Sequence, residues 1–429
     1  MDHSGIVVGL DIGTTKICVI VGQQNEHGKI DILGMGKCAS HGVERGIVTN
    51  IDDTVESIKK AVLEASNSSK VDITHVNVGI AGQHIKSHQH SGSLVRRNEL
   101  SEISHEDVKR ISDDMEQLAT APGERILHVL PQEYAIDGTH GFKDPVGMSG
   151  TRLEANFHII TCKVTAAKNI QRCIEKAGLS PVNITLEPIA SSASVLSKDD
   201  IEEGVALVDI GGGTTDIAIF KDGTILHTAV IPLGGNIITE DVKKGCSVMK
   251  KQAEALKTQF GSAYSEYVDV NEIISIPGIE GRKPKEISRR NLAHIIQARV
   301  EEIFEHVSYE LDNANCKNEL AGGIVLTGGG SLLDNIEKLV EYETGINTRL
   351  GLPAVHLGQG YAKAVNSPIY ATGVGLVVNT INQNLISGEN KRTEQEIIKK
   401  KSKIPFNFNL IDKVKTWLGE ESNNIDDFK

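Results

Sequence analysis

The chain has 429 residues, a formal net charge of −12 and a pI of about 5.7, and its 39% hydrophobic and 24% charged residues are ordinary for a soluble globular protein. This length allows two or more domains with an ample core, and the acidic balance argues against a nucleic-acid partner. The six cysteines are scattered without a CxxC pair, which argues against a zinc site or a disulfide framework and favours buried thiols in a reducing cytoplasm.

The first predicted strand ends in a glycine turn with the sequence GLDIGTTK, which contains Asp11, Gly13, Thr14, Thr15 and Lys16. Because glycine has no Cβ, the backbone N–H groups of such a turn can approach an anion, and phosphate is the natural guest. Asp11 stands at the end of a buried strand, where it is suited to hold a cation or its waters beside that phosphate. We therefore predict that metal and phosphate bind together at this turn.

The N-terminal sequence runs directly into this strand, without a basic segment or a long apolar stretch. We therefore expect no signal peptide. No apolar run approaches the ~20 residues that a membrane-spanning helix needs.

Residues 84–161 interrupt the α/β pattern of residues 1–83 and 162–202 with a polar capped helix and short strands, and they contain no phosphate turn. We predict that they form an inserted subdomain. His84, His88 and His90 alternate at its start and could form a metal-binding face. A fourth ligand is absent, however, which favours a solvated loop.

A helix is predicted over Leu186–Leu196, with Pro188 in its first turn. This helix would run between two halves of the molecule and place Glu187 at the mouth of a cleft. The carboxylate could serve in the cleft or simply cap the helix, and the sequence leaves both interpretations open.

The glycine turn recurs in the second half of the chain, as VDIGGGTTDI. Two such turns, each preceded by an aspartate, predict a duplicated domain that closes on one nucleotide from both sides. Alignment of the two Thr-Thr pairs places Asp216 where the first copy has Lys16. The predicted site residues of this second turn are Asp209, Gly211, Gly212, Gly213, Thr214 and Thr215.

A third glycine cluster, with Gly328, Gly329, Gly330 and Ser331, follows a short apolar strand at Gly323–Leu326. It lacks the aspartate, so we assign it to the base and sugar of the nucleotide. Each turn alone is more often an ordinary tight turn, but three of them after apolar strands favour nucleotide binding. No Walker motif and no GxGxxG occurs, which argues against a P-loop NTPase, a dinucleotide dehydrogenase and a protein kinase.

The stretch Gly281–Arg290 is rich in basic residues. A charge run is usually a solvated loop, yet on an acidic protein it could also bind an acidic peptide. The basic residues are Arg282, Lys283, Lys285, Arg289 and Arg290.

The end of the chain departs from the α/β pattern. Residues 384–404 are highly charged and predict a flexible linker, residues 405–419 predict an amphipathic helix, and residues 420–429 form an acidic tail. A core helix could show the same pattern, but the linker separates this one from the globular part. We therefore predict an interfacial membrane anchor, with a partner-protein groove as the other option. The membrane-facing residues would be Phe406, Leu410, Ile411, Val414, Trp417 and Leu418.

Four segments in this order, DIGTTK, LEPIAS, DIGGGTTD and TGGGSLL, resemble the actin, seventy-kilodalton chaperone and sugar-kinase superfamily. Within it, the whole chain is similar to the FtsA family of bacterial cell-division proteins, which carry an insert at this place. The resemblance implies an α/β fold with actin-like, duplicated ribonuclease-H-type domains around a nucleotide cleft. Residues 203–383 would form the second lobe, with a small subdomain at about 236–300.

The resemblance also implies ATP and Mg²⁺ as cofactors, with Asp11 and Asp209 holding the metal through water. Gly234 and Gly235 precede Glu254 and Lys257 in a pattern that supplies contacts to the ribose and adenine, although by spacing alone Glu254 and Lys257 are an exposed ion pair. Glu187 would position the attacking water. The nucleotide would act chiefly as a clamp between the lobes, with slow hydrolysis at most.

By resemblance, the protein polymerises on the cytoplasmic side of the inner membrane at the division site, as a peripheral protein. There it anchors the ring of the tubulin-like FtsZ, binds the acidic FtsZ tail near the basic stretch, and helps recruit other divisome proteins. The alternative is a small-metabolite kinase of the same superfamily, which needs a catalytic base and a substrate pocket. A chaperone-like ATPase is a third option, but no substrate-binding β-domain follows the α/β core.

Overall fold

The computed structural model describes residues 5–96, 102–276, 284–353, 357–360 and 362–385. Residues Met1–Thr380 form one compact unit, to which the following description applies. Of the second unit, Ile381–Lys429, the structure describes residues 381–385, which are helical although the linker was predicted to begin at 384. The rest of the predicted linker, the amphipathic helix, the acidic tail, Arg282 and Lys283 lie outside the described residues.

Most of the first half of the chain folds into one sheet with its helices, and the insert interrupts it. The elements are β1 (Ile6–Ile12), β2 (Lys16–Gln24), β3 (Ile30–Ala39), β4 (Val43–Glu44), β5 (Ile47–Val48), α1 (Ile51–Ser69), β6 (His75–Ile80), β7 (Ile85–Val95), α2 (His105–Glu116), β8 (Glu124–Ile136), β9 (Thr139–Phe142), β10 (Arg152–Lys163), α3 (Val164–Lys176), β11 (Ser180–Leu186), α4 (Glu187–Val195) and α5 (Lys198–Glu203).

The second half contains another sheet and a small helical region, and then two further elements. These are β12 (Val205–Ile210), β13 (Thr215–Lys221), β14 (Thr224–Ile231), α6 (Gly235–Gly245), α7 (Lys250–Phe260), β15 (Ile273–Ile276), β16 (Lys285–Ser288), α8 (Arg289–Asn313), β17 (Ile324–Thr327), α9 (Ile336–Thr344), β18 (Thr348–Leu350), β19 (Leu357–Gly360) and α10 (Ala362–Val365). Residues 371–380 are also helical.

The two sheets have matching topology. The first contains the order β11-β6-β1-β2-β3, and the second has the order β18-β17-β12-β13-β14. In each, three antiparallel strands made from consecutive chain are followed by two parallel strands reached through helices. This repeat confirms the duplicated architecture that the two glycine turns predicted.

Two helices lie between the sheets and connect the lobes. The central strands β1, β2 and β12 are buried over nearly their whole length, as expected for strands covered on both faces. The helix at residues 371–380 crosses α4 so closely that a Cβ on Gly375 would stand 1.8 Å from the carbonyl oxygen of Ala190. Ser194 of α4 donates a hydrogen bond to the Ala371 carbonyl at 2.8 Å. Both helices are therefore fixed relative to each other at the centre of the molecule.

The chain returns to the first lobe before residue 380. Strand β19 pairs in parallel with β3, with Leu357 opposite Ile30, and a Cβ on Gly9 of β1 would stand 2.7 Å from the Gly373 carbonyl oxygen. We had predicted that all of residues 203–383 belong to the second lobe. That boundary is wrong at its C-terminal end, because the sheet edge at β3 is completed by a strand that lies far away in the sequence.

The insert is a sheet of order β7-β10-β8-β9 packed on α2. It also contacts the second lobe, where the Ser87 hydroxyl donates to the Thr228 carbonyl of β14 at 2.8 Å. His84 lies in the turn directly before β7, and His88 and His90 lie on β7, so the predicted solvated loop is wrong for these two residues. His84 is buried, whereas His88 and His90 are exposed. Within the described residues, no group of three or more His, Cys, Asp or Glu side chains could hold a metal ion.

Candidate functional site

The two glycine turns have the same internal hydrogen bond. In the first turn, Gly13 N donates to the Lys16 carbonyl at 3.0 Å, and in the second Gly211 N donates to the Thr214 carbonyl at 2.9 Å. Each turn joins two buried antiparallel strands. The predicted pair of equivalent turns is therefore present as a pair of equivalent hairpins.

The strand register corrects our alignment of the two copies. Asp11 pairs with Cys18 across the first hairpin, and Asp209 pairs with Asp216 across the second. Asp216 therefore takes the place of Cys18, and not that of Lys16 as predicted. The two hairpins have the same length, but the second turn has two additional glycines before its Thr-Thr pair. The two Thr-Thr pairs are therefore not equivalent, and an alignment based on them is wrong.

The turns of the two lobes touch each other. A Cβ on Gly212 would stand 2.3 Å from Thr15 Cγ2, and a Cβ on Gly213 would stand 2.6 Å from Thr14 Oγ1. A side chain at position 212 or 213 would therefore collide with the first turn unless that turn moved. Glycine is needed here because the backbones of both lobes approach the same point.

The start of α6 fixes the second turn in place. Gly235 N donates to the Gly211 carbonyl at 2.9 Å, and Asn236 N donates to the Gly212 carbonyl at 2.8 Å. A Cβ on Gly234 would stand 2.7 Å from the Gly211 carbonyl oxygen. Gly234 and Gly235 thus support the second glycine turn, a role that the sequence pattern had not indicated.

A cleft of about 460 Å³ opens between the turns, a volume within the range of small-molecule binding sites. It brings together most of the predicted site residues from both lobes. Those lining it are Asp11, Gly13, Thr14, Thr15, Lys16, Glu187, Asp209, Gly211, Gly212, Gly213, Thr214, Gly235, Glu254, Lys257, Gly328, Gly329 and Gly330.

Two aspartates at the ends of β1 and β12 face this cleft, as predicted. Asp11 Oδ2 accepts from Lys16 Nζ at 2.5 Å. Asp209 Oδ2 accepts from the hydroxyl of Ser191 at 2.8 Å and from that of Thr372 at 3.3 Å. Burial raises the pKa of Asp209 above its usual value although these hydrogen bonds oppose the shift.

Asp216 is a third aspartate of the cleft, and it is not among the site residues predicted from the sequence. The Thr214 hydroxyl donates to its Oδ2 at 2.9 Å, while its buried Oδ1 has no hydrogen-bond partner. Burial, and then the charge of Asp209, raise the pKa of Asp216 to about 7. Asp216 is part of the TTD sequence of the second turn, but the incorrect alignment made it equivalent to Lys16 and not to Cys18.

Glu187 is the first residue of α4 and points into the same cleft. A Cβ on Gly79 would stand 2.9 Å from Glu187 Cγ, so this glycine leaves room for the carboxylate. Burial and the charges of Asp11, Asp216 and Asp209 raise the pKa of Glu187 well above its usual value. The group therefore stands at a helix start, as the capping interpretation requires, and also faces the predicted nucleotide site.

This donor set fits a hydrated cation. The carboxylates face one cavity, and Asp216 Oδ1 is a buried acceptor that lacks a partner. A cation would offset their mutual repulsion, as the positive charge of Lys16 already does for Glu187 and Asp209. Among the described His, Cys, Asp and Glu side chains, no group of three or more has the geometry of a direct metal site.

The cleft also contains Lys257 and Glu254 on α7. Lys257 Nζ donates to the Gly235 carbonyl at 2.9 Å and to Thr239 Oγ1 at 2.9 Å, and it lies 2.8 Å from Glu254 Oε2. The pair is therefore anchored to the start of α6 and is not the freely exposed pair that spacing alone suggests. Gly328 has φ +80°, and a Cβ there would stand 2.3 Å from Asp209 Oδ1.

Three predicted site residues do not line the cleft. The Thr215 hydroxyl donates to the Leu233 carbonyl at 2.9 Å, and the Ser331 hydroxyl donates to the Gly328 carbonyl at 2.8 Å. Both side chains are buried within the protein, and Gly234 packs beneath the second turn. Conversely, Thr372 lines the cleft, although no sequence signal pointed to it because it belongs to the returning helix.

The predicted basic loop is partly engaged by the protein itself. Lys285 lies on β16 and donates to the Cys246 carbonyl at 2.5 Å. Arg289 begins α8 and pairs with Glu272 at 3.0 Å and with Asp334 at 3.1 Å. These two cations therefore stabilise the small helical region, and less of the stretch than predicted is available to a partner.

None of the helices described in the structure combines the length and hydrophobicity needed to span a membrane.

Comparison with known proteins identifies relatives over most of the chain. A family model described as "Cell division protein FtsA" matches residues 206–375, and one described as "SHS2 domain inserted in FTSA" matches residues 82–161. The chain is 40% identical over 373 residues to the cell division protein FtsA of Pseudomonas aeruginosa, which covers 87% of this chain and 88% of that protein.

Solved structures are similar at the level of the fold. A chain of the PilM–PilN type IV pilus biogenesis complex has a TM-score of 0.63 at 16% identity and covers 87% of this chain and 98% of its own. MreB5 of Spiroplasma citri bound to ADP has a TM-score of 0.53 at 15% identity and covers 89% and 98%. Together with the matched insert, they confirm the predicted actin-like α/β class with an inserted subdomain.

Proposed function

Because this chain belongs to the FtsA family of cell-division proteins, we propose that it binds ATP with Mg²⁺ and assembles on the membrane at the division site. The observation that carries the proposal is the pair of equivalent glycine turns that meet above a carboxylate-lined cleft. A single ligand between these turns would contact both lobes. Its binding would therefore set the angle between them.

The triphosphate would lie between the two turns, whose backbone N–H groups and Lys16 offer positive potential. Asp11 and Asp209 would hold the metal through water, and Asp216 stands close enough to share that role. The bound Mg²⁺ would neutralise charge on the phosphate oxygens. Support for a nucleotide comes from the solved MreB5 structure, which has the same fold and is described as bound to ADP.

The base and ribose would contact Glu254, Lys257 and the glycine strip Gly328–Gly330, which line the same cleft. Glu187 would orient the attacking water, and its raised pKa makes it a poor proton acceptor until a cation is present. We therefore propose slow hydrolysis at most, with the nucleotide acting chiefly as a clamp.

Membrane attachment would come from the amphipathic pattern at residues 405–419, which lies outside the described residues. Its aromatic and aliphatic stripe with flanking lysines is typical of a helix that lies in the lipid interface. We propose peripheral attachment to the cytoplasmic face of the inner membrane. Self-association into filaments would combine many weak anchors into firm attachment.

The protein partners would be FtsZ, through its acidic C-terminal tail, and other divisome proteins. Lys285 and Arg289 already have partners within the chain. The proposed tail contact is therefore better assigned to Arg290 together with Arg282 and Lys283, the last two of which lie outside the described residues.

The assembly is tested by electron microscopy of the full chain with anionic liposomes, in the presence of Mg-ATP and without nucleotide. We expect ordered filaments on the liposomes with Mg-ATP and fewer without it. Asp11→Asn should lose this response, whereas the exposed Asp72→Asn should keep it. Rapid phosphorylation of a small metabolite, without assembly under any of these conditions, would instead favour the metabolite kinase.

A further inference from the structure

The inserted subdomain forms a hydrogen bond with the residue that precedes Glu187 of the proposed nucleotide cleft. His128 lies on β8 of the insert, and its Nε2 accepts a hydrogen bond from the backbone N–H of Leu186 at 3.0 Å. Leu186 is the last residue of β11 and the N-cap residue of α4, directly before Glu187. We infer that His128 is a positioning residue that couples the insert to the nucleotide cleft, an inference that rests on the proposed nucleotide-binding function.

The Leu186 N–H requires this partner. Strand β11 lies at the edge of its sheet in the described part of the chain, so one side of it has no neighbouring strand. Leu186 is only 1% exposed, which keeps water from the N–H. Leaving such a buried donor unpaired would destabilise the folded protein, because the N–H would lose its hydrogen bond to water without gaining another. The His128 ring thus provides the hydrogen-bond acceptor that a neighbouring strand would otherwise provide, at the residue where β11 ends and α4 begins.

The chemical state of the ring suits the acceptor role. Burial lowers the pKa of His128 to about 4, so the imidazole is neutral at pH 7. A neutral ring that accepts at Nε2 carries its proton on Nδ1. His128 therefore accepts this hydrogen bond as a neutral ring, and no charge is buried between the insert and the first lobe.

The helix that begins at this contact carries groups of the cleft. Glu187 is its first residue, and one turn later the Ser191 hydroxyl holds Asp209 at 2.8 Å. A displacement of the start of α4 would therefore move one carboxylate directly and loosen the support of another. Since both belong to the proposed Mg²⁺ and water site, the position of His128 matters to the chemistry in the cleft.

A second contact makes the coupling more than one hydrogen bond. Leu130, two residues after His128 on β8, packs against the same apolar cluster as Ile189 of α4. Strand β8 thus forms a hydrogen bond with the end of β11 and packs against an apolar cluster that includes Val195 of α4. By linkage, whatever shifts the insert would alter nucleotide binding, and nucleotide binding would shift the insert to the same extent in free energy.

The test compares His128→Leu, which has no acceptor, with His128→Gln, whose amide oxygen reaches about as far as Nε2. The exposed His90→Leu is the matched control within the insert. Mg-ATP affinity is measured first, then single-turnover hydrolysis, and then hydrogen exchange of residues 124–136 with and without Mg-ATP. For His128→Leu we expect about tenfold slower turnover with affinity changed less than about threefold. We also expect loss of the exchange protection that Mg-ATP confers on β8.

His128→Gln should restore both readouts, and His90→Leu should match the wild type. Should His128→Leu fail to fold, His128→Asn takes its place, since its shorter amide keeps the polarity but does not reach Leu186. Equal turnover and equal exchange protection in the wild type and the Leu or Asn variant would overturn the inference. A wild type that does not bind Mg-ATP in the first measurement would instead overturn the proposed function, and with it the premise of the inference.

Discussion

Removal of Pro405–Lys429 is expected to reduce co-sedimentation with anionic liposomes to background while leaving Mg-ATP binding unchanged. The reason is that the deleted segment contains the amphipathic stripe, and the residues that line the cleft lie elsewhere. The loss should be nearly complete, because interfacial binding depends on buried apolar area and on attraction of lysines to anionic lipid. Pelleting at several lipid concentrations, with nucleotide binding measured on the same preparations, checks this.

A point substitution makes the same test without a truncation. Trp417→Glu puts a charge on the apolar stripe and should weaken lipid binding strongly, whereas Asn423→Glu adds the same charge in the acidic tail and should have little effect. A truncated protein that still pelleted with liposomes would show that the membrane contact lies elsewhere.

Asp216→Asn is expected to stabilise the ligand-free protein at pH 8 and to weaken its response to Mg-ATP. The pKa of Asp216 is about 7 in the folded protein, against 3.8 for an unperturbed aspartate. The folded protein holds the proton of Asp216 more tightly than the unfolded chain does. The stabilisation that this proton contributes is therefore complete below about pH 4 and is lost as the pH rises to 7. At 1.36 kcal/mol per pKa unit the shift corresponds to at most about 4 kcal/mol, and the asparagine avoids this cost.

Denaturant unfolding at pH 8 and pH 5 distinguishes this cause from a change in packing. The stabilising effect of Asp216→Asn should be largest at pH 8 and fall to about a third of that value at pH 5, where the folded protein keeps the proton on Asp216 but the unfolded chain does not. Mg-ATP should stabilise the wild type more than the variant, since the variant has lost a charge that faces the cation. The exposed Asp72→Asn should show none of these differences. Equal stability of Asp216→Asn and the wild type at pH 8 would contradict the account of a repulsive cleft.

The sequence predicted the parts of the site whose chemistry is local. An aspartate after an apolar strand, followed by glycines and threonines, has few structural solutions. For that reason the hairpins at Asp11 and Asp209 could be foreseen, with their shared cavity inferred from their repetition. The duplication of the sheet followed from the same repetition. These predictions depend on contacts between residues that lie near one another in the chain.

The errors arose where distant segments meet. Nothing in the local pattern could show that Leu357 pairs with Ile30, or that Thr372 on the returning helix supports Asp209. The equivalence of Asp216 and Cys18 depends on hairpin register, which the Thr-Thr pairs did not report. Likewise, a basic sequence such as that around Arg289 does not reveal which carboxylates fold against it.

The most direct test of the account is equilibrium binding of Mg-ATP to the wild type and to Gly212→Val. If both turns grip one triphosphate, a side chain at Gly212 must push Thr15 away, and affinity should fall about a hundredfold or more. Gly178→Ala, in a turn with no neighbour within 4 Å, serves as the control and should bind like the wild type. Undiminished binding by Gly212→Val, or no binding by the wild type, would contradict the claim that the matched turns clamp a nucleotide between the lobes.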